Sequence, residues 1–166
     1  MMKKLVLTML MFVPVAMMAQ KFGHTNFNEI VQAMPEFTKA KTELETLQKQ
    51  YESDLKSMQD ELQRKSEAFQ KEESTLPEGV KKRREQELQE MYQKIQQSAS
   101  DNQQSLQKAY QEKMEPIQSK ILDAVKAVGQ AGNYVYIMDL SLGIPYISNT
   151  LSTDVTSDVK SKLGLK

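Results

Sequence analysis

The chain of 166 residues contains no cysteine, no tryptophan and a single histidine, His24. The missing cysteine excludes disulfides, thiolate nucleophiles, zinc–thiolate sites and a lipid-bearing N-terminal cysteine. One histidine is too few for a histidine-rich metal centre and leaves little for a His-based triad. Excess charge of one sign is also missing: 22 basic side chains face 22 acidic ones. A nucleic-acid binder needs a basic field to collect phosphates, so that class is disfavoured. Aromatics are only 7% and mean hydropathy is −0.58. There is no phosphate-binding loop and no clustered nucleophile. The inventory argues against an enzyme and implies no cofactor.

The longest apolar run is at the N-terminus. Two lysines lie within Met1–Lys4, and Leu5–Ala19 is apolar apart from Thr8 and Pro14. A basic start, an apolar stretch and a closing small residue form a secretory signal peptide. Fifteen residues at about 1.5 Å each are too short to span a bilayer. Cleavage is expected after Ala19, although Met17 stands where a small residue is preferred; uncleaved, the segment would be an interfacial anchor. The short bacterial-style signal and the absence of thiols place the mature chain in the periplasm of a double-membraned cell. Its charge becomes 20 basic against 22 acidic.

The mature chain has two compositions. Residues 36–131 are rich in charge and hold 16 glutamines. In the first half of this stretch apolar positions recur at Phe37, Ala40, Leu44, Leu47, Tyr51, Leu55, Met58, Leu62 and Phe69. Steps of three and four with one extra four-residue step near Tyr51 describe a coiled-coil seam with a stutter. The stripe is too narrow for a helix buried in a globular core. Pro35 suits a first helical turn. The stripe stops at Ser74–Gly79, where Thr75 and Glu78 have capping-box spacing. A second stripe runs through Leu88, Met91, Ile95, Leu106, Tyr110, Ile117, Ile121, Ala124 and Val128. Folding the chain at Pro77 pairs positions whose numbers sum to about 154. Leu44 then faces Tyr110, Leu47 faces Leu106, Leu55 faces Ala99, Met58 faces Ile95, and Leu62 faces Met91 and Tyr92. Apolar faces apolar throughout, which predicts a helical hairpin. Pro116 falls inside the second arm and marks a hinge, because it removes one backbone hydrogen bond. The polar run Gln96–Gln104 reads as a solvated face, or as an adaptable cavity wall or bending point.

The flanks read as strands and short helices. Phe22–Phe27 is a short strand, followed by a helical turn containing Ile30, Val31 and Met34. Tyr134–Asp139 is the clearest strand. Gly143 is expected to turn the chain so that Ile144–Ser148 returns, and Thr156 to cap a final helix through Val159 and Leu163 that Gly164 closes. About fifty residues in two separated segments make a marginal core, which oligomerisation would complete.

This order of elements resembles the Skp/OmpH family of periplasmic chaperones: an apolar strand, Asn26, a short helix, Pro35, a long helical hairpin, the Tyr134–Asp139 strand, then Asp154–Val159. Lys21–Val31 and Asp154–Val159 look like that family's first strand and closing helix. The resemblance implies a homotrimer whose β body holds three hairpins around a cavity, receiving unfolded outer-membrane proteins without ATP. The best-known relatives are strongly basic, and this chain departs from them in charge. His24 also stands where the family strand usually has an aliphatic residue.

The expected fold is α+β: a coiled-coil hairpin arm extending from a small β-rich body, trimeric. The segments are a signal peptide at 1–19, a trimerisation body at 20–34 with 132–166, and an arm at 35–131 with its tip near 75–79. The expected function is an ATP-independent holdase for unfolded outer-membrane β-barrel proteins. The alternative is a structural coiled-coil spacer or adaptor of the envelope. Lys81, Lys82, Arg83 and Arg84 form the one dense basic run. They read either as a solvated helix start paired with nearby acids, or as an electrostatic contact for an acidic client or an anionic membrane surface. His24 reads as a packed strand residue, Glu72 and Glu73 as a solvated face, and Tyr51, Tyr92 and Tyr110 as seam residues.

Overall fold

The computed structural model describes residues 20–165, so the proposed signal peptide lies outside the described residues. Strand β1 (Lys21–Thr25) leads into helix α1 (Phe27–Ala33). The Asn26 side chain caps this helix by accepting from the Glu29 N–H at 3.1 Å. Helix α2 (Pro35–Glu72) follows directly, with Pro35 at its start where a missing N–H costs nothing. Helix α3 (Glu78–Gly132) returns along it and is the longest element, at 55 residues. Asn133 ends α3 in the left-handed conformation, φ 55°, which asparagine tolerates better than most residues. Strand β2 (Tyr134–Asp139), a short 3₁₀ turn (Leu140–Leu142), strand β3 (Ser152–Asp154) and helix α4 (Thr156–Lys162) complete the chain.

The sheet has the order β2–β1–β3, and both pairings are parallel. β1 and β2 can run parallel because the whole hairpin forms their crossover. Gly23 lies centrally, where a Cβ would come within 3.0 Å of Ile137 and 3.1 Å of Tyr134. A larger residue would push the sheet off the side chains that cover it.

Three expected features of the fold are corrected. Ile144–Ser148 is not a returning strand. Gly143 adopts φ 76°, and Pro145 cannot donate to a ladder. The chain instead passes through turns, and the third strand forms later at Ser152–Asp154. The capping box at Thr75 and Glu78 is also absent: α3 starts after Pro77 without a side-chain cap. The Thr75 hydroxyl instead donates to the Glu72 carbonyl at 2.8 Å, closing the end of α2. The last helix likewise begins at Thr156, whose N–H is held by the Asp154 carboxylate at 2.9 Å.

The hydrophobic core does not lie between sheet and helices alone. Ile30, Met34, Ile121, Val155 and Val159 are its fully buried members, joined by Ala40, Met114, Ile117 and Ala124. The bases of both arm helices therefore belong to the body's core. This anchors the arm at its root, while its outer length depends on the two-helix seam.

Candidate functional site

The arm is built from the two longest elements of the described chain, and its register is set by charge as well as by apolar contact. Ion pairs cross between helices at Glu36–Lys120 (2.8 Å), Glu72–Arg84 (3.3 Å) and Glu73–Lys81 (3.5 Å), and at Glu43–Lys113. These pairs sum to 156 or 154, the register expected for a fold at Pro77. The Lys120 ammonium donating to Glu36 holds that carboxyl below its usual range. Lys113 does the same to Glu43. Exposed pairs of this kind contribute little stability each, but they disfavour slipped registers.

Along α2 the half-buried stripe runs through Leu44, Leu47, Tyr51, Leu55, Met58 and Leu62 to buried Phe69. Along α3 it runs through Leu88, Met91, Ile95, Ser98, Asn102, Leu106 and Ala109. The polar stretch therefore does contribute to the seam, through Ser98 and Asn102. Tyr51 is a seam residue. Tyr92 and Tyr110 are not: they are 51% and 54% exposed. The reason is steric phase, since the α3 seam centres on Met91 and Ala109, one residue earlier in each case, and turns both rings outward.

The grooves on the two sides of the arm differ in chemistry. Tyr92 and Ile95 border a groove of about 470 Å³ with Gln59, Gln63 and Gln70 and a single charged side chain, Glu67. On the other side, Met58, Met91 and Ile95 floor a groove edged by Glu61, Lys65 and Lys94.

At the tip, Lys81 pairs with Glu73, Arg84 with Glu72, and Arg83 with Glu87 at 3.8 Å. Lys82 has no carboxylate partner among the described residues. The basic run is thus largely neutralised within the arm, and Glu72 and Glu73 are two of its partners. Pro116 sits exposed within an uninterrupted α3, on a groove with Ala40, Ile117 and the Glu36–Lys120 pair.

In the body, His24 is buried, with Nδ1 2.8 Å from the Ser152 hydroxyl and Asp154 opposite it in the ladder. Burial pushes the Asp154 carboxyl up, but bonds from the Thr156 hydroxyl and N–H, aided by His24, outweigh it and lower the pKa. No group of three metal-ligating side chains occurs among the described residues.

Sequence reasoning missed the body's apolar surface. β2 is an edge strand, and Val135, Tyr136 and Met138 on it are exposed, as are Leu142, Tyr146 and Leu151 beyond it. Alternation along β2 was the available signal, obscured by side chains that are apolar on both faces.

Comparison with known proteins agrees with this architecture. A solved structure of an OmpH-like protein from Caulobacter crescentus superposes with a TM-score of 0.74 at 14% identity, covering 87% of this chain and 83% of that one. The chaperone protein Skp of Pectobacterium atrosepticum is 28% identical over 141 residues, 85% of this chain and 84% of that protein. The Skp chaperone of Yersinia enterocolitica is 26% identical over the same share. The model of the OmpH-like outer membrane protein family matches residues 21–163. With the hairpin, the parallel three-stranded body and that match over nearly the whole described chain, this protein belongs to the OmpH-like family.

Proposed function

We propose that this chain is a periplasmic holdase chaperone that binds unfolded outer-membrane β-barrel proteins and keeps them from aggregating until they insert. The observation that carries the reading is the hairpin itself: helices of 38 and 55 residues extend far beyond a small body whose core takes in only their bases. Family membership and the two Skp chaperones among its relatives support a chaperone rather than an enzyme.

Holding is passive. Many weak contacts retain the unfolded chain, and preferential binding to it shifts its equilibrium by mass action. Release follows when the client reaches a lower-energy destination in the membrane. Homotrimerisation is part of the proposal. The unpaired β2 edge and the exposed Val135, Tyr136 and Met138 are the kind of surface that a closed assembly covers. Three arms would then enclose a space that one arm cannot. Secretion through the N-terminal signal, with cleavage near Ala19, belongs to the same reading. At the tip, Lys82 and Lys71 are the cations left for an anionic membrane surface, so such contact is expected to be weak.

The test is dilution of a urea-unfolded outer-membrane β-barrel into buffer with and without the purified mature protein, followed by light scattering. Scattering should fall to baseline near one assembly per client. Unchanged scattering at a several-fold excess would eliminate the holdase reading and leave a structural spacer.

A further inference from the structure

The charges of α3 are segregated in a way its seam does not require. Between Gln89 and Gln111 the helix has four charged side chains, Glu90, Lys94, Asp101 and Lys108. With 3.6 residues per turn, all four project within about 20° of the direction opposite Tyr92. Tyr110 follows Tyr92 by five turns, so the two rings lie on one line about 27 Å apart. Both are half exposed. Around them stand Gln89, Gln93, Gln96, Gln103, Gln107 and Gln111, all exposed. The side-chain hydrogen bonds of this region, Gln86 to Glu90 and Gln97 to Asp101, lie on the charged flank. The amides beside the tyrosines make none among the described residues.

A merely solvated helix face gains from mixing opposite charges four residues apart. This face forgoes that gain over six turns. On α2 the same side continues with Gln59, Gln63 and Gln70 in the groove beside Tyr92, where the one charged side chain is Glu67, accepting from Gln63 at 2.9 Å, whereas the far groove carries Glu61, Lys65 and Lys94.

We propose that the glutamine–tyrosine face of α3 is the surface that holds the client, and that it selects extended segments that lack charge and contain aromatic side chains. The proposal rests on the holdase reading and specifies where and what it holds. Each glutamine amide both donates and accepts, so a row of them satisfies the N–H and C=O groups of an extended chain without regard to sequence. A charged client side chain laid on this face of α3 would lose water and find no opposite charge on that helix. The complementarity is thus neutral against neutral. The tyrosines add large, rigid contact area at low entropic cost. Strands of outer-membrane barrels suit such a face, with apolar alternation and aromatic girdles.

The experiment uses the full assembled protein with a photo-crosslinking residue at position 96 or 103, or at 94 or 101, and an unfolded β-barrel client. Crosslinks to client should form from 96 and 103 and be weak from 94 and 101. The double variant Tyr92→Ser/Tyr110→Ser should weaken client binding about tenfold. Lys94→Gln/Lys108→Gln should stay within about twofold. If the serine variant loses its helical unfolding midpoint, Gln96→Glu/Gln103→Glu serves instead and should weaken binding similarly. A wild type that holds the client, combined with a face variant within about twofold of it, would overturn the face assignment and leave the holdase reading intact. Crosslinks running only between copies from 96 and 103 would also overturn it, making the face an interface. A wild type that does not hold the client defeats both.

Discussion

Ile121 shows most simply how one residue supports both body and arm. It is fully buried, in a cluster with Ile30, Val155 and Val159, yet belongs to an arm helix. Ile121→Ala leaves a cavity where body and arm meet and should cost about 3 kcal/mol in urea unfolding. A loss below about 1 kcal/mol would mean that the arm root is not part of the core. Asp154 carries the residue-scale pH dependence. Its folded pKa is lowered, so its stabilisation is present above the ordinary carboxylate pKa of about 3.9 and is lost as pH falls through the folded value. Glu36 and Glu43 act in the same direction. Asp154→Asn should therefore lower the urea midpoint near neutral pH and flatten its decline below about pH 4. A variant as acid-sensitive as the wild type would remove Asp154 from that account.

The arm helices were largely legible as elements because a two-helix seam is written in apolar spacing. Leu44 through Leu62 recur at three and four residues whatever surrounds them. The register was legible too, since Pro77 fixes the fold point and Glu36–Lys120 and Glu72–Arg84 agree with it. The phase of α3 through its glutamines was not. With no apolar residue except Ala99 between Gln96 and Gln104, spacing cannot say that Ser98 and Asn102 face inward while Tyr110 faces outward. This polar seam yields an element-scale prediction. Asn102→Leu should raise the arm's unfolding midpoint, by about 1 kcal/mol, because a half-buried amide gives way to a seam residue of matching type. Pro116 yields another. The helix continues through it without one backbone hydrogen bond, so Pro116→Ala should stabilise by about 1–3 kcal/mol. If Pro116 is also the hinge, the variant should hold large clients less well than small ones. Unchanged stability would mean that the residue is already accommodated.

For the whole molecule, light scattering coupled to size exclusion should give three times the mature chain mass. Met138→Glu on the exposed β2 edge should lower that value. A wild type that stays monomeric at micromolar concentration would contradict the trimer. With charges nearly balanced in the mature chain, 20 basic against 22 acidic, holding should survive about 0.5 M salt, because screening acts over about 8 Å at physiological strength while apolar and amide contacts persist. Loss of holding in salt would point instead to local charge. Composition and periodicity alone determined that this is a long amphipathic hairpin joining two apolar flanks, without the residues that thiol or histidine chemistry requires. Those properties are local, and each turn of helix repeats them. Tertiary structure alone decided that β3 forms at Ser152–Asp154 rather than Ile144–Ser148, that Asp154 rather than Thr156 holds the start of α4, and that Tyr92 and Tyr110 stand clear of the seam. The strand depends on pairing with β1 about 130 residues away, the tyrosines on which side of α3 meets α2, and the Asp154 cap on where β3 leaves its carboxylate; short-range pattern cannot encode such competition between partners.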